Sequence, residues 1–173
     1  MDHLSHFPTE PIPKELYSDY EERPFRTCTR CGESLADFVE GFQIAKVFKN
    51  NEVVFEYALC SHCHIGMIDE FSAESRQALE EYYARNMTPG LGADQCGICL
   101  LERNELSQNE FSLGAACVGN HLIEAFMICS SCVENSNLLV SKKTQGIWND
   151  FIDSNFPGVP ENSMPCPTGI SIF

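Results

Sequence analysis

The sequence has few basic residues for its length. Lys and Arg total 11 against 25 Asp and Glu, which gives a formal net charge of −14. A protein with this charge repels the phosphate backbone of nucleic acids and the headgroups of anionic lipids. The composition therefore argues against a general nucleic-acid-binding or membrane-surface protein.

Long apolar runs are also missing. No stretch approaches the roughly 18 consecutive apolar residues that a transmembrane helix needs, so we expect no contact with a membrane interior. The first residues, Met1 to Pro8, lack the basic start and apolar core of a signal peptide. We therefore expect a cytoplasmic protein, in which clustered cysteines more often bind metal than form disulfides.

Cysteine, in contrast, is abundant and regularly placed. Eight of the ten cysteines form four Cys-x-x-Cys pairs, separated by 28 residues in the first half and by 29 in the second. Four thiolates at such spacing favour a structural Zn²⁺ site with no open coordination position. The sequence therefore predicts two structural zinc ions per chain, and their loading would bring the net charge to about −18. The predicted ligands are Cys28, Cys31, Cys60 and Cys63, then Cys96, Cys99, Cys129 and Cys132.

The two halves of the chain repeat each other. A shift of 69 residues superposes Phe42 on Phe111, Cys60 on Cys129 and Ser72 on Ser141. Agreement at scattered positions predicts an internal duplication. We divide the chain into a Pro-rich acidic N-terminal tail (1–25), a first zinc unit (26–87), a linker (88–94), a second zinc unit (95–156) and a Pro-rich C-terminal tail (157–173). The N-terminal tail is expected to be mobile or loosely docked.

Each unit follows one order of local patterns. After the first Cys pair, Gly32 is expected to take a positive φ. Two β-rich runs, 41–48 and 52–59, flank a hairpin turn at Lys49–Asn51. Helical periodicity follows the second pair, with a break expected at Ser72. The second unit repeats this order with shorter runs, 111–113 and 122–128, a turn at Gly119–Asn120 and an amphipathic segment.

This order of zinc knuckle, β-hairpin and helix resembles the treble-clef zinc finger over about residues 26–86 and 94–155. The resemblance implies a small α+β fold with two treble-clef-like units. It also implies that the sulfurs hold hairpin to helix, with thiolates favoured near the helix N-terminus. Each helix has an apolar stripe too large for one small hairpin to cover, so we expect the units to pack together around a pseudo-two-fold axis.

Three other chemistries fit parts of the cysteine pattern. A rubredoxin-like iron centre also uses two Cys-x-x-Cys pairs, but only the first pair here is followed by glycine, Gly32. The pair Cys96-Gly97-Ile98-Cys99 resembles a thioredoxin-type redox motif, which needs a preceding strand where this chain has a Pro89-Gly90 linker. Asn120-His121 lies near the place of a catalytic histidine in His-Asn-His nucleases, without a second histidine to hold a metal.

Four further residues carry ligand or thiol chemistry. His62 and His64 flank Cys63 and could substitute as metal ligands, although we expect both to be exposed on the first helical turn. Cys117 aligns with Phe48 and is expected to be a buried apolar residue. Cys166, between Pro165 and Pro167, is expected to be a free thiol.

These observations favour a non-enzymatic, zinc-stabilised module that binds protein. The alternative is a nucleic-acid-associated regulator, either through a basic face or as an acidic occupant of a partner's nucleic-acid groove. Metal or thiol redox chemistry, or nuclease activity, comes third. The candidate binding residues are the basic residues Arg23, Arg26, Arg30, Lys46 and Lys49 and the helical residues Trp148, Phe151 and Ile152.

Overall fold

The structure is a computed structural model that describes residues 10–159. The fold is small α+β, as predicted. Among the described residues, no helix combines the length and the apolar character needed to cross a membrane. The strands are β1 (Glu10–Pro11), β2 (Phe42–Lys49), β3 (Glu52–Cys60), β4 (Gly92–Cys96), β5 (Phe111–Val118) and β6 (His121–Cys129), and the helices are α1 (Ser61–Glu70), α2 (Ala73–Asn86), α3 (Ser130–Asn137) and α4 (Lys142–Asn155).

Both predicted hairpins are present. In the turn of the first, Asn50 and Asn51 take φ angles of 53° and 66°, the left-handed conformation that a two-residue hairpin turn favours and that Asn tolerates. The second hairpin is longer than the predicted 111–113 run, because β5 continues to Val118. Its small residues have weak strand propensity, but β5 is paired on both sides, with β2 and β6, which stabilises the strand.

The two hairpins form one sheet with strand order β1-β6-β5-β2-β3, and β4 pairs in parallel with β6. Their junction is the antiparallel pairing of β2 with β5, in which Phe42 faces Cys117 and Phe48 faces Phe111. The 69-residue shift relates Phe42 to Phe111 and Phe48 to Cys117, so it converts each of these two pairs into the other. The pairing of β2 with β5 is therefore symmetric between the two halves. The pair Ala45–Gly114 relates to itself under the same shift and marks the pseudo-two-fold axis.

The helical segment of each unit breaks at the equivalent serine. Ser72 caps α2 by accepting a hydrogen bond from a backbone N–H at N3, as predicted, and Ser141 caps α4 in the same way. The two cap hydroxyls lie 2.9 Å apart. Ser75 accepts from the Ser141 N–H at 2.8 Å, and Thr144 accepts from the Ser72 N–H at 3.0 Å. The four side chains join the helix N-termini of the two units.

Each unit's second helix packs on the other unit. In α4, the rings of Trp148 and Phe151 lie 6.0 and 5.4 Å from the ring of Tyr57 on β3. In the reverse direction, α2 of the first unit contacts the second unit, where the Tyr82 hydroxyl donates to the Cys132 carbonyl of α3 at 3.3 Å. Trp148, Phe151 and Ile152 are 0, 7 and 0% exposed. This corrects the prediction that they form a binding surface, since they form the contact between the units.

Residues 10–25 of the predicted N-terminal tail lie on the sheet, whereas residues 1–9 lie outside the described residues. Glu10 and Pro11 pair with the start of β6, and Ile12 and Leu16 are buried. Apolar residues between the prolines therefore give this segment a docked position. The predicted C-terminal tail is described only as far as Val159.

The docked segment is fastened by Lys46 of β2. Its ammonium group donates to the carbonyls of Glu15 and Tyr17, at 3.1 and 2.5 Å, and to Asp19 Oδ1 at 2.7 Å. Glu56 of β3 lies 3.5 Å from the same ammonium group. Lys46 is 0% exposed, so the prediction that it contributes to a basic binding face is wrong. Its charge is compensated inside the fold.

Because Trp148 crosses between the units, removing it should weaken both at once. We expect Trp148→Ala to lower the free energy of unfolding by about 3–5 kcal/mol, measured by chemical denaturation followed by far-UV circular dichroism. Leu138→Ala is the matched control, since Leu138 is 83% exposed and its truncation should change stability by less than about 0.5 kcal/mol. Equal effects of the two substitutions would contradict the packing described above.

Candidate metal centres

The first four-cysteine cluster is assembled from three elements. Cys28 and Cys31 lie in a tight turn closed by the Gly32 N–H, which donates to the Cys28 carbonyl at 2.9 Å. Cys60 ends β3, and Cys63 lies on the first turn of α1. The four Sγ atoms lie within 4.8 Å of one another. The predicted ligands of the first half therefore converge on one point.

The second cluster is built in the same way from Cys96, Cys99, Cys129 and Cys132, again with all Sγ atoms within 4.8 Å. Cys96 Sγ accepts from the Cys129 N–H at 3.4 Å. The equivalent bond in the first cluster, from the Cys60 N–H to Cys28 Sγ, has the same length. These N–H groups orient the sulfurs, as outer hydrogen bonds do around bound metals.

The spacing of the sulfurs fits a tetrahedral metal ion. A Zn–S bond of about 2.3 Å places tetrahedral sulfurs about 3.8 Å apart. The Sγ atoms of Cys31 and Cys60 are 3.9 Å apart, and those of Cys99 and Cys129 are 3.6 Å apart. Four sulfur ligands fill a tetrahedral ion, so each cluster is suited to a structural rather than a catalytic metal.

The thiols within one cluster differ in pKa. Burial raises the pKa of Cys28, but N–H donors, led by those of Cys31 and Cys60, outweigh it and bring the pKa to about 7. The pKa of Cys96 is likewise lowered to about 7, whereas burial raises the pKa of Cys129 to about 11. Four thiolates at this spacing would repel one another, and a bound cation would offset that repulsion.

The two knuckles differ at the residue after the second cysteine. Gly32 has φ +75°, as predicted, and the equivalent Leu100 has φ +67°. A left-handed backbone is free for Gly and strained for Leu. Nothing lies within 4 Å of a Cβ built on Gly32, so a substitution there changes backbone strain without creating a steric clash.

The predicted basic face is divided between a buried residue, surface ion pairs and unpaired exposed residues. Arg30 lies 3.1 Å from Glu70 and donates to the Cys63 carbonyl at 3.2 Å. Arg23 lies 3.1 Å from Glu21, and Lys46 is buried. Arg26 and Lys49, like Arg23 and Arg30, are exposed. The structure therefore does not assemble the five residues into one free cationic surface.

The two histidines beside Cys63 have different environments. His62 is exposed, as expected, but His64 is only 4% exposed, so its predicted exposure is wrong. His64 lies two positions from His62 on α1 and therefore on a different face of the helix. Burial lowers the pKa of His64 to about 4, which keeps the imidazole neutral at pH 7.

Cys117 lies inside the protein, and the possible redox motif at Cys96 and Cys99 lies in a strand and a turn. Cys117 is buried, as predicted, and burial raises its pKa to about 12. Cys166 lies outside the described residues. A strand, β4, does lead into Cys96, contrary to the expectation of a linker, but Cys99 lies in a turn instead of the helix that a thioredoxin-type motif requires.

Sequence reasoning missed a cavity beside the first cluster, between α1 and the paired ends of β2 and β5. One signal was available, since the alignment of Cys117 with Phe48 replaces a large ring by a small thiol.

No protein-family model, curated protein or solved structure matches the chain.

Metal analysis tests the two clusters directly. We expect about two zinc ions per chain, and we expect a strong chelator to abolish the far-UV circular dichroism of the folded state. Cys60→Ser should lower the content to about one zinc, while Cys117→Ala, which removes a thiol outside both clusters, should retain two. Retained folding after complete metal removal would contradict a structural role.

The knuckle strain gives a second test. Leu100→Gly should raise the free energy of unfolding by about 1 kcal/mol, because the strained φ of Leu is relieved, and Gly32→Ala should lower it by about the same amount. Thermal denaturation of the metal-loaded proteins measures both. Destabilisation by Leu100→Gly would show that packing by the leucine side chain outweighs its backbone strain.

Proposed function

We propose that the chain is a non-enzymatic protein-interaction or adaptor module, with one structural zinc in each of two treble-clef-like units. The observation that carries this proposal is the position of the clusters. Each one joins a knuckle, the end of a strand and the start of a helix. Metal at such a junction contributes to folding and leaves no coordination position for a substrate.

Zinc is favoured over iron by the local pattern. Leu100 follows the third Cys pair, where a rubredoxin-like knuckle has glycine. Helices α1 and α3 also start immediately after Cys60 and Cys129, as the treble-clef arrangement requires. The helix N-termini add favourable electrostatics for the thiolates.

The surface supports binding to protein. The chain has a formal net charge of −14, which favours partners with basic or neutral surfaces. Several large apolar side chains are exposed, including Ile65 at 56% and Val39 at 87%. Exposed apolar groups become favourable contacts when a partner covers them. We place this function in the cytoplasm, where zinc-bound thiols persist.

The nucleic-acid alternative has less support. Of the five basic residues proposed for it, Lys46 is buried, and Arg23 and Arg30 are paired with carboxylates. The four that remain exposed, two of them in surface ion pairs, would neutralise few phosphates. Since each phosphate contact contributes to the salt dependence of binding, a surface with so few available cations predicts weak and salt-insensitive association.

Purification of the intact, zinc-loaded chain from its native host tests the proposal. We expect a stoichiometric protein partner that remains bound through size-exclusion chromatography, and no DNA or RNA binding that falls steeply with salt. Tight, strongly salt-dependent nucleic-acid binding by the purified chain would favour the regulator instead. A chain that stays free of protein partners in its host would contradict the adaptor function.

A further inference from the structure

Each four-cysteine cluster has one exposed cysteine, Cys31 in the first and Cys99 in the second. In a zinc-loaded cluster all four sulfurs are thiolates, which are the nucleophilic form of cysteine. A dissolved oxidant therefore reaches each cluster first at its exposed cysteine. The buried ligands are Cys28, Cys60, Cys96, Cys129 and Cys132.

The first cluster has a cation beside it. The Arg30 guanidinium donates to the carbonyl of the ligand Cys63 at 3.2 Å and to the Glu70 carboxylate at 3.1 Å. These two bonds hold the positive charge against the knuckle and the first turn of α1. A cation near a thiolate stabilises the negative charge on sulfur and lowers its nucleophilicity.

The second cluster lacks that cation. The two knuckles superpose at a shift of 68 residues, which places Ile98 where the first knuckle has Arg30. The Cys132 carbonyl, which corresponds to that of Cys63, accepts from the neutral Tyr82 hydroxyl at 3.3 Å. Within residues 10–159, no arginine or lysine side chain donates to a ligand of this cluster. Its thiolates are therefore the more nucleophilic set.

Backbone strain also weakens the second knuckle. Leu100 follows Cys99 with φ +67°, whereas Gly32 follows Cys31 with φ +75°. A metal bound to Cys99 holds the leucine in this left-handed conformation, and loss of the bond allows it to relax. Glycine has no such strain to release. Detachment of Cys99 is therefore easier than detachment of Cys31.

A second sulfur lies close to each exposed cysteine. The Sγ atoms of Cys99 and Cys129 are 3.6 Å apart, and those of Cys31 and Cys60 are 3.9 Å apart. An oxidised Cys99 would therefore have a neighbouring thiolate in reach, which is the arrangement that converts a sulfenic acid into a disulfide.

We propose that Cys99 is a site of oxidation by hydrogen peroxide, and that the second cluster loses its zinc before the first. The Cys99 thiolate attacks one peroxide oxygen, the O–O bond breaks, and Cys99 sulfenic acid and hydroxide form. The Cys129 thiolate then attacks the Cys99 sulfur, the S–O bond breaks, and a disulfide and a second hydroxide form. The two sulfurs give two electrons to the peroxide, and an ion left with two thiolates dissociates.

The proposal rests on the zinc loading in the proposed function. Metal analysis of the untreated full chain separates the two ideas. Fewer than about two zinc ions before peroxide is added would contradict the proposed function itself. Two zinc ions that are lost at equal rates, or that both resist peroxide, would overturn only the present inference.

Peroxide treatment of the zinc-loaded chain tests the order of release. A chromogenic chelator follows the zinc, and alkylation with mass spectrometry maps the thiols. The first zinc should leave at least about threefold faster than the second. At that stage Cys99 and Cys129 should form a disulfide, and Cys31 and Cys60 should remain reduced. Earlier oxidation of the first cluster would overturn the proposal, and a disulfide from Cys99 to any other cysteine would overturn the role of Cys129.

Variants that exchange the two knuckles test the role of the cation. Arg30→Ile, which copies Ile98, should speed zinc release from the first cluster at least about threefold. Arg23→Ile removes another ion-paired surface arginine and should leave both rates unchanged. If Arg30→Ile does not fold, Ile98→Arg should slow release from the second cluster by a similar factor. Unchanged release in the folded variants would overturn the protective role of Arg30.

Discussion

The rest of the structure depends on the convergence of four sulfurs at each cluster. Thiolates within 4.8 Å of one another repel strongly unless a cation lies between them. Without one, the knuckle is attached to β3 or β6 through few backbone hydrogen bonds, such as that from the Thr29 N–H to the Ala58 carbonyl. A bound metal therefore fixes the end of the hairpin, the start of the helix and the knuckle relative to one another.

Local features of the fold could be predicted because they depend on neighbouring residues. Asn50–Asn51 indicated the first turn, Ser72 indicated the break between α1 and α2, and the cysteine spacing indicated both clusters. The exposure of the helix faces could not be predicted in this way. An apolar stripe such as that of Trp148 shows that a helix is covered, but its contact with Tyr57 depends on how two units meet.

The wrong predictions of exposure for Lys46 and His64 share one cause. The sequence predicts a surface position for both because Lys and His are usually exposed. Lys46 is buried because the N-terminal segment crosses the strand and supplies carbonyl acceptors. His64 is buried because α1 lies against the junction of two hairpins that are far apart in sequence. Long-range contacts decided both positions, and composition carries no information about them.

Because each unit's second helix packs on the other unit, the first unit cannot complete its fold while the second is still being synthesised. The first hairpin is covered by α4, which spans Lys142–Asn155, so α4 must be synthesised before Tyr57 is buried. Until α4 has been synthesised, the first hairpin keeps an uncovered apolar sheet face. Such late closure slows folding and leaves the nascent first half open to aggregation until the second half is made.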